Sequence, residues 1–165
     1  DMKKRVGAWE GDTIIGGNHK GVISTMVERK TLYSIIEPIR TKNSINLREK
    51  FVERMKPHKE RIHTITFDNG KEFSEHKGIS QDLGASIYFA HPYSSWERGL
   101  NENTNGLIRQ YFPKKTDLSR VTREDADYVM NRLNLRPREK SAFKTPYEVF
   151  FKTKINLTDQ VALNT

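Results

Sequence analysis

Arg61-Ile62-His63-Thr64-Ile65-Thr66-Phe67-Asp68-Asn69-Gly70 is the stretch on which the architecture turns. Ile62, Ile65 and Phe67 mark a short buried strand, and Asp68-Asn69-Gly70 closes it. The strand is reached through a helix. Residues 44–56 carry Leu47, Phe51, Val52 and Met55 at helical spacing, and Pro57 stops them. A strand that follows a crossover helix pairs parallel with an earlier strand. Upstream lie three strands, Val6–Gly16, Lys20–Glu28 and Thr31–Ile39. Gly16-Gly17-Asn18 gives the first turn, and the short link Arg29-Lys30 joins the second and third strands as a hairpin. Downstream come a weak helical stretch over Ser74–Leu83, a fifth strand over Ser86–Ala90 and a loop over His91–Ser95. A helix over Trp96–Phe112 follows, with Leu100, Thr104, Leu107, Ile108 and Tyr111 on one stripe and Pro113 ending it. Thr122 caps the next helix, which buries Ala126, Val129, Met130 and Leu133. Thr145-Pro146-Tyr147-Glu148 is a capping box for the last one. The order specifies an α/β fold. An antiparallel meander is extended by two parallel crossover strands into a mixed five-stranded sheet flanked by helices.

The chain has 165 residues, enough for one compact domain with a core that needs no staples. Residues 1–151 read as that domain and 152–165 as a C-terminal tail, where the pattern fades. No cysteine is present, which excludes a disulfide framework, a thiolate zinc site and a cysteine nucleophile. No apolar run reaches the ~18 residues of a membrane span. With 29 Lys+Arg against 21 Asp+Glu the net charge is +8, and twelve of the cations against six acids fall between Asn103 and Lys154. A pI near 9.7 and a mean hydropathy of −0.78 make nucleic acid the first polyanion to consider.

Three acids stand apart. Asp12 sits within a strand, between Gly11 and Thr13-Ile14-Ile15; Asp68 ends the Ile65-Thr66-Phe67 strand; Glu102 lies in the long helix. A carboxylate among core residues is costly unless a cation neutralises it, and a hard divalent ion with oxygen ligands suits the purpose. The five histidines show no zincin spacing. Taken singly, Asp12 also reads as a surface residue of an edge strand, Asp68-Asn69-Gly70 as a plain turn, and Glu102 as a solvated helix residue.

Taken together, strand–Asp, strand–Asp, helix–Glu with 33 residues between Asp68 and Glu102 resembles the DDE transposase and retroviral integrase core, a ribonuclease H-like fold. Trp9-Glu10-Gly11-Asp12-Thr13-Ile14, Thr66-Phe67-Asp68-Asn69-Gly70-Lys71-Glu72-Phe73 and the run from His91 to Lys114 are similar to the bacterial insertion-sequence-thirty family, over about residues 5–151. The resemblance implies that Asp12, Asp68 and Glu102 are the catalytic and metal-binding triad. They would hold two Mg²⁺ (or Mn²⁺) ions, which activate water at a transposon-end phosphodiester and then the freed 3′-OH for attack on target DNA. It also matches Arg98 and Arg109 to the cations of a Y-(2)-R-(3)-E-(6)-K signature, whose tyrosine falls here on Ser95. The partners implied are double-stranded DNA, both transposon ends and target, and further copies of the chain. The location implied is the bacterial cytoplasm, at the nucleoid.

Helical spacing puts Arg98, Glu102, Asn105 and Arg109 on one face, with Leu100, Leu107, Ile108 and Tyr111 toward the sheet. Arg98, Asn105 and Arg109 on that face, with Lys114 and Lys115 beyond it, are the expected DNA contacts. The cations from Arg120 to Lys144 would add phosphate contacts that position a duplex without reading its sequence. Two other readings share part of this pattern. One is a ribonuclease H-like nuclease that only hydrolyses, and the other is a DNA-binding module without catalysis.

Overall fold

The computed structural model describes residues 5–39, 43–68, 74–90 and 99–155. Its sheet comprises β1 (Ala8–Ile15), β2 (Val22–Glu28), β3 (Ser34–Ile39), β4 (Thr64–Phe67) and β5 (Ser86–Phe89) in the order β3-β2-β1-β4-β5. The pairs β1/β2 and β2/β3 are antiparallel, while β1/β4 and β4/β5 are parallel. This is the mixed sheet that the element order specifies. The helices are α1 (Ser44–Met55), α2 (His76–Leu83), α3 (Gly99–Arg109), α4 (Arg123–Asn134) and α5 (Pro146–Phe151).

Alternation along β1 divides the core. Trp9 joins Met26, Ile65 and Phe67 on the face covered by α1, α2 and α5, through Leu47, Phe51, Ile79, Leu83 and Phe150. Ile14 joins Ile23 and Ile36 on the opposite face, under Ile108 of α3 and Ala126, Val129 and Leu133 of α4. Thr122 and Thr145 both form full capping boxes, with Asp125 and Glu148.

The structure trims all five strands relative to the sequence reading, most at the starts of the third and fourth. The third strand starts at Ser34 rather than Thr31. Buried Glu28 accepts from the Lys30 and Thr31 amides and the Thr31 hydroxyl, which curls the chain into a turn with Leu32 at φ 65°. The fourth starts at Thr64 rather than Arg61, because Lys56–Arg61 forms a 3-10 turn whose Arg61 carbonyl accepts from the Trp9 indole at 2.8 Å. Pro57 sits at the start of that turn. The tail from residue 156 onward lies outside the described residues.

Glu37 on the edge strand β3 holds the two helical layers together. It is 4% exposed, and its carboxylate lies 3.2 Å from Arg54 Nε of α1 and 3.2 Å from Arg123 Nε of α4. Arg54 also pairs with Asp127, and Arg123 with Glu53 at 2.9 Å. Burial pushes the Glu37 carboxyl above its ordinary value, against the pull of Arg123 and Arg54. The stability that Glu37 contributes through this shift is therefore full below its unfolded pKa and declines as pH rises through its raised value. Glu37→Ala leaves two guanidiniums facing each other at the sheet edge. It is expected to lower stability by about 3 kcal/mol near neutral pH, read as a lower urea midpoint with an unchanged slope.

Candidate active site

The site forms where the parallel pairing of β1 and β4 ends. Glu10 pairs with Thr66 and Gly11 with Phe67. Asp12 and Asp68 each stand one residue beyond the last pair, on strands that run side by side in the same direction. The carboxyl ends of parallel strands are where open α/β sheets place their ligands. Gly11 keeps the two strands close. A Cβ there would meet the Phe67 ring at 2.5 Å and Met26 Sδ at 2.9 Å.

Helix α3 covers this end of the sheet and is fastened to β1 at two points. Asn105 Nδ2 donates to Asp12 Oδ2 at 2.9 Å, and the Thr25 hydroxyl donates to Asn105 Oδ1 at 3.3 Å. Asp12 Oδ1 accepts from the Thr13 amide at 2.8 Å. One turn further along α3, the Arg109 guanidinium donates to the carbonyls of Ile15 (3.0 Å) and Phe112 (3.4 Å). The expected open face of Glu102, Asn105 and Arg109 is therefore corrected. Asn105 and Arg109 turn to β1, and the buried residues of α3 are Asn101, Thr104 and Ile108. Glu102 lies on the flank, exposed.

Asp12, Asp68 and Glu102 line one small cavity of about 140 Å³, with Glu10 and Asn101 beside them and Thr66, Phe67 and Ala90 behind. The fourth acid, Glu10, was not anticipated. It is 5% exposed and paired with Arg29 at 2.9 Å. Its signal was its place two residues before Asp12, which puts both on one face of the strand. Asn101 is 6% exposed, and its Oδ1 has no hydrogen-bond partner among the described residues. The donor set is all oxygen, carboxylates with an amide and a hydroxyl, which is the chemistry of Mg²⁺ or Mn²⁺ sites. Among the described residues, no three acidic or histidine side chains converge into a ready-made cage. The cleft thus offers the right ligands without the final geometry.

Of the expected DNA contacts, Arg98 lies outside the described residues, together with the rest of residues 91–98 at the start of the His91–Lys114 motif. Lys114 and Lys115 are exposed on the turn after α3. That turn packs on the end of β1, with the Gly17 amide donating to the Thr116 carbonyl at 2.8 Å.

No protein-family model matches the chain. Among curated proteins, the transposase for insertion sequence element IS4351 of Bacteroides fragilis is 49% identical over 150 residues, which is 91% of this chain and 46% of that protein. Transposase InsI for IS30A of Escherichia coli K12 is 41% identical over 160 residues, 96% of this chain and 41% of that protein. The chain is homologous to IS30-family transposases. A further transposase, for IS1086 of Cupriavidus metallidurans, is 34% identical over 156 residues, 94% of this chain and 46% of that one. The chain spans less than half the length of these IS30-type relatives.

Among solved structures, a chain of the simian T-cell lymphotropic virus intasome in complex with PP2A regulatory subunit B56 gamma superposes with a TM-score of 0.73. It is 16% identical, and the match covers 92% of this chain and 56% of that one. The HTLV-2 integrase catalytic core domain in complex with magnesium, in its trimeric form, superposes with a TM-score of 0.67. It is 17% identical, and the match covers 88% and 96%. The fold is the ribonuclease H-like fold of retroviral integrase cores.

Proposed function

We propose that this chain is the catalytic core of a transposase, cutting phosphodiesters at the ends of a mobile element and joining the freed 3′-OH to target DNA. The observation that carries the reading is the meeting of Asp12, Asp68 and Glu102 in one cleft, in a chain whose homologues are insertion-sequence transposases. In the first step water attacks phosphorus and the 3′-oxygen leaves with a proton. In the second that 3′-oxygen attacks a target phosphorus and displaces the target's own 3′-oxygen. No covalent link to the protein is needed. Asp12, Asp68 and Glu102 would hold the divalent ions, two of Mg²⁺ or Mn²⁺, and bound ions stabilise the attacking and leaving oxygens. An HTLV-2 core in complex with magnesium and in trimeric form supports both a metal and a multimer for the active complex. Among the described residues no helix is long and apolar enough to cross a membrane, and a reaction on mobile-element DNA would put the chain in the bacterial cytoplasm, at the nucleoid.

The test is metal-dependent nicking of supercoiled plasmid by the 165-residue chain, followed by joining of a pre-cut insertion-sequence end to that plasmid. Both are expected with Mg²⁺ or Mn²⁺ and neither with EDTA. Nicking without joining, with the full-length protein and its proper ends, makes the chain a hydrolase alone. A folded protein that binds DNA but does neither overturns the reading.

Asn105 supplies a second test. It touches Asp12 rather than the cleft, so its role is to hold that carboxylate in register. Asn105→Ala is expected to lower nicking by about 10–100-fold, the usual cost of losing a ligand's outer partner. Asn105→Asp should be worse, because it sets a like charge against Asp12. The apparent metal requirement should rise in both. A purely structural role would lower the melting temperature without changing the metal titration of the folded protein.

A further inference from the structure

A second cavity, of about 740 Å³, opens beside the acidic cleft and shares Glu10 with it. It lies between the β2–β3 turn, the first turn of α3 and the 3-10 turn Glu139–Ser141. Its cations are Arg29, Lys30, Arg138 and Lys140, against Glu10 and Glu139. Leu32 and Leu100 supply apolar wall.

Both rims are set in advance. The β2–β3 turn is pinned by buried Glu28, and it holds Leu32 at φ 65°, a backbone region that a branched residue avoids and that persists where surrounding structure enforces it. The opposite rim is a closed loop. The Arg138 amide donates to the Lys144 carbonyl at 3.0 Å, and the Phe143 amide to the Arg138 carbonyl at 2.8 Å. The Arg138 guanidinium donates through one amino group to the Leu133 carbonyl at 3.2 Å, while its Nε is buried with no hydrogen-bond partner among the described residues. Burial, with Arg136 nearby, lowers the pKa of Arg138, so an anion in the cavity would relieve a strained charge.

A duplex backbone offers phosphates and no apolar face. A single unpaired nucleotide offers both, a phosphate for the cations and a base face for the two leucines. The volume falls in the ~300–1,000 Å³ range of pockets that enclose a ligand of that size. We propose that this cavity receives one unpaired nucleotide of the strand whose neighbouring phosphate enters the acidic cleft, with Leu32 and Leu100 against the base and Lys30, Arg138 and Lys140 about its phosphate. This rests on the transposase-core reading and names where the strand beside the cut is held.

The experiment compares, by fluorescence anisotropy on the 165-residue chain, a blunt DNA duplex with the same duplex carrying one unpaired 2-aminopurine nucleotide at its end. The unpaired end should bind about tenfold tighter, the scale of burying one base face against apolar side chains, with a change in 2-aminopurine emission. Lys30→Ala/Lys140→Ala, both at exposed positions, should erase the preference and the emission change while the melting temperature holds. Equal affinity for the two duplexes, or a preference that survives the double substitution, overturns the inference and leaves the core reading standing. Failure to bind either duplex overturns both.

Discussion

Asp12→Asn, Asp68→Asn and Glu102→Gln are each expected to lower DNA nicking and joining by at least about 10³-fold, because each removes a full charge from the group meant to hold the ions. Their effects on stability should differ, and the difference follows from the hydrogen bonds. Glu102 is exposed on the flank of α3, so its amide should leave the melting temperature within about 2 °C. Asp12 accepts from Thr13 on one oxygen and from Asn105 on the other. An asparagine has one oxygen and one amino group, so it must present N–H to one of those donors. Asp12→Asn should therefore cost about 1–2 kcal/mol as well as activity. Nicking rates and thermal melts on the same preparations check both halves. Any single variant that keeps more than about a tenth of wild-type nicking removes that residue from the triad.

The sheet was legible because its signals are local. The strand pattern of Ile62, Ile65 and Phe67 after a helical one, the turn at Gly16-Gly17, and the two capping boxes each act within a few residues, and the observed order of elements follows them. Strand ends were not legible where a distant group decides them. Glu28 folds the chain back over Lys30 and Thr31, and the Trp9 indole reaches the Arg61 carbonyl across the strand junction.

The meeting of the three acids was legible for a different reason. Asp68 closes its strand while Asp12 lies inside its own, so it was the family pattern of strand–Asp, strand–Asp, helix–Glu that joined the three, and the structure sets Asp12 beside Asp68 where the β1/β4 pairing stops. Helix rotation was the harder quantity. Periodicity gives which residues share a face but not how that face sits when polar side chains are what the sheet end demands. Asn105 and Arg109 turned inward because Asp12 and the Ile15 carbonyl needed donors. That need appears only once β1 and α3 are packed. Glu10 shows the reverse case. The alternation that set it beside Asp12 was in the sequence, but its ion pair with Arg29 could not be seen until the hairpin brought that arginine round.

The same sorting of inward from outward cations leads to the second large effect, a steep dependence of DNA binding on salt. Of the basic residues from Arg109 to Lys144, Arg109 is bonded to backbone carbonyls, Arg123 to Glu37 and Glu53, and Arg138 to the Leu133 carbonyl. Arg132 is hydrogen-bonded to Tyr111, which raises its pKa. Lys114, Lys115, Arg120, Arg136, Lys140 and Lys144 instead stand exposed. The turn that carries Lys114 and Lys115 is fixed against β1. Lys115 holds φ 77°, and its backbone lies so close to Gly17 that a Cβ there would approach it at 2.4 Å. If the six exposed cations meet phosphates, the slope of log K against log salt should be about −5, which amounts to roughly 10³-fold weaker binding at 200 mM than at 50 mM. Lys114→Ala/Lys115→Ala should flatten the slope by about two units, one for each lost contact. Arg123→Ala should leave the slope alone and lower the melting temperature, since its charge is spent on Glu37 and Glu53. Titrations at several salt concentrations, with melts of each variant, separate the two classes. An unchanged slope for the lysine pair would return Lys114 and Lys115 to solvent and move the DNA to another face of the domain.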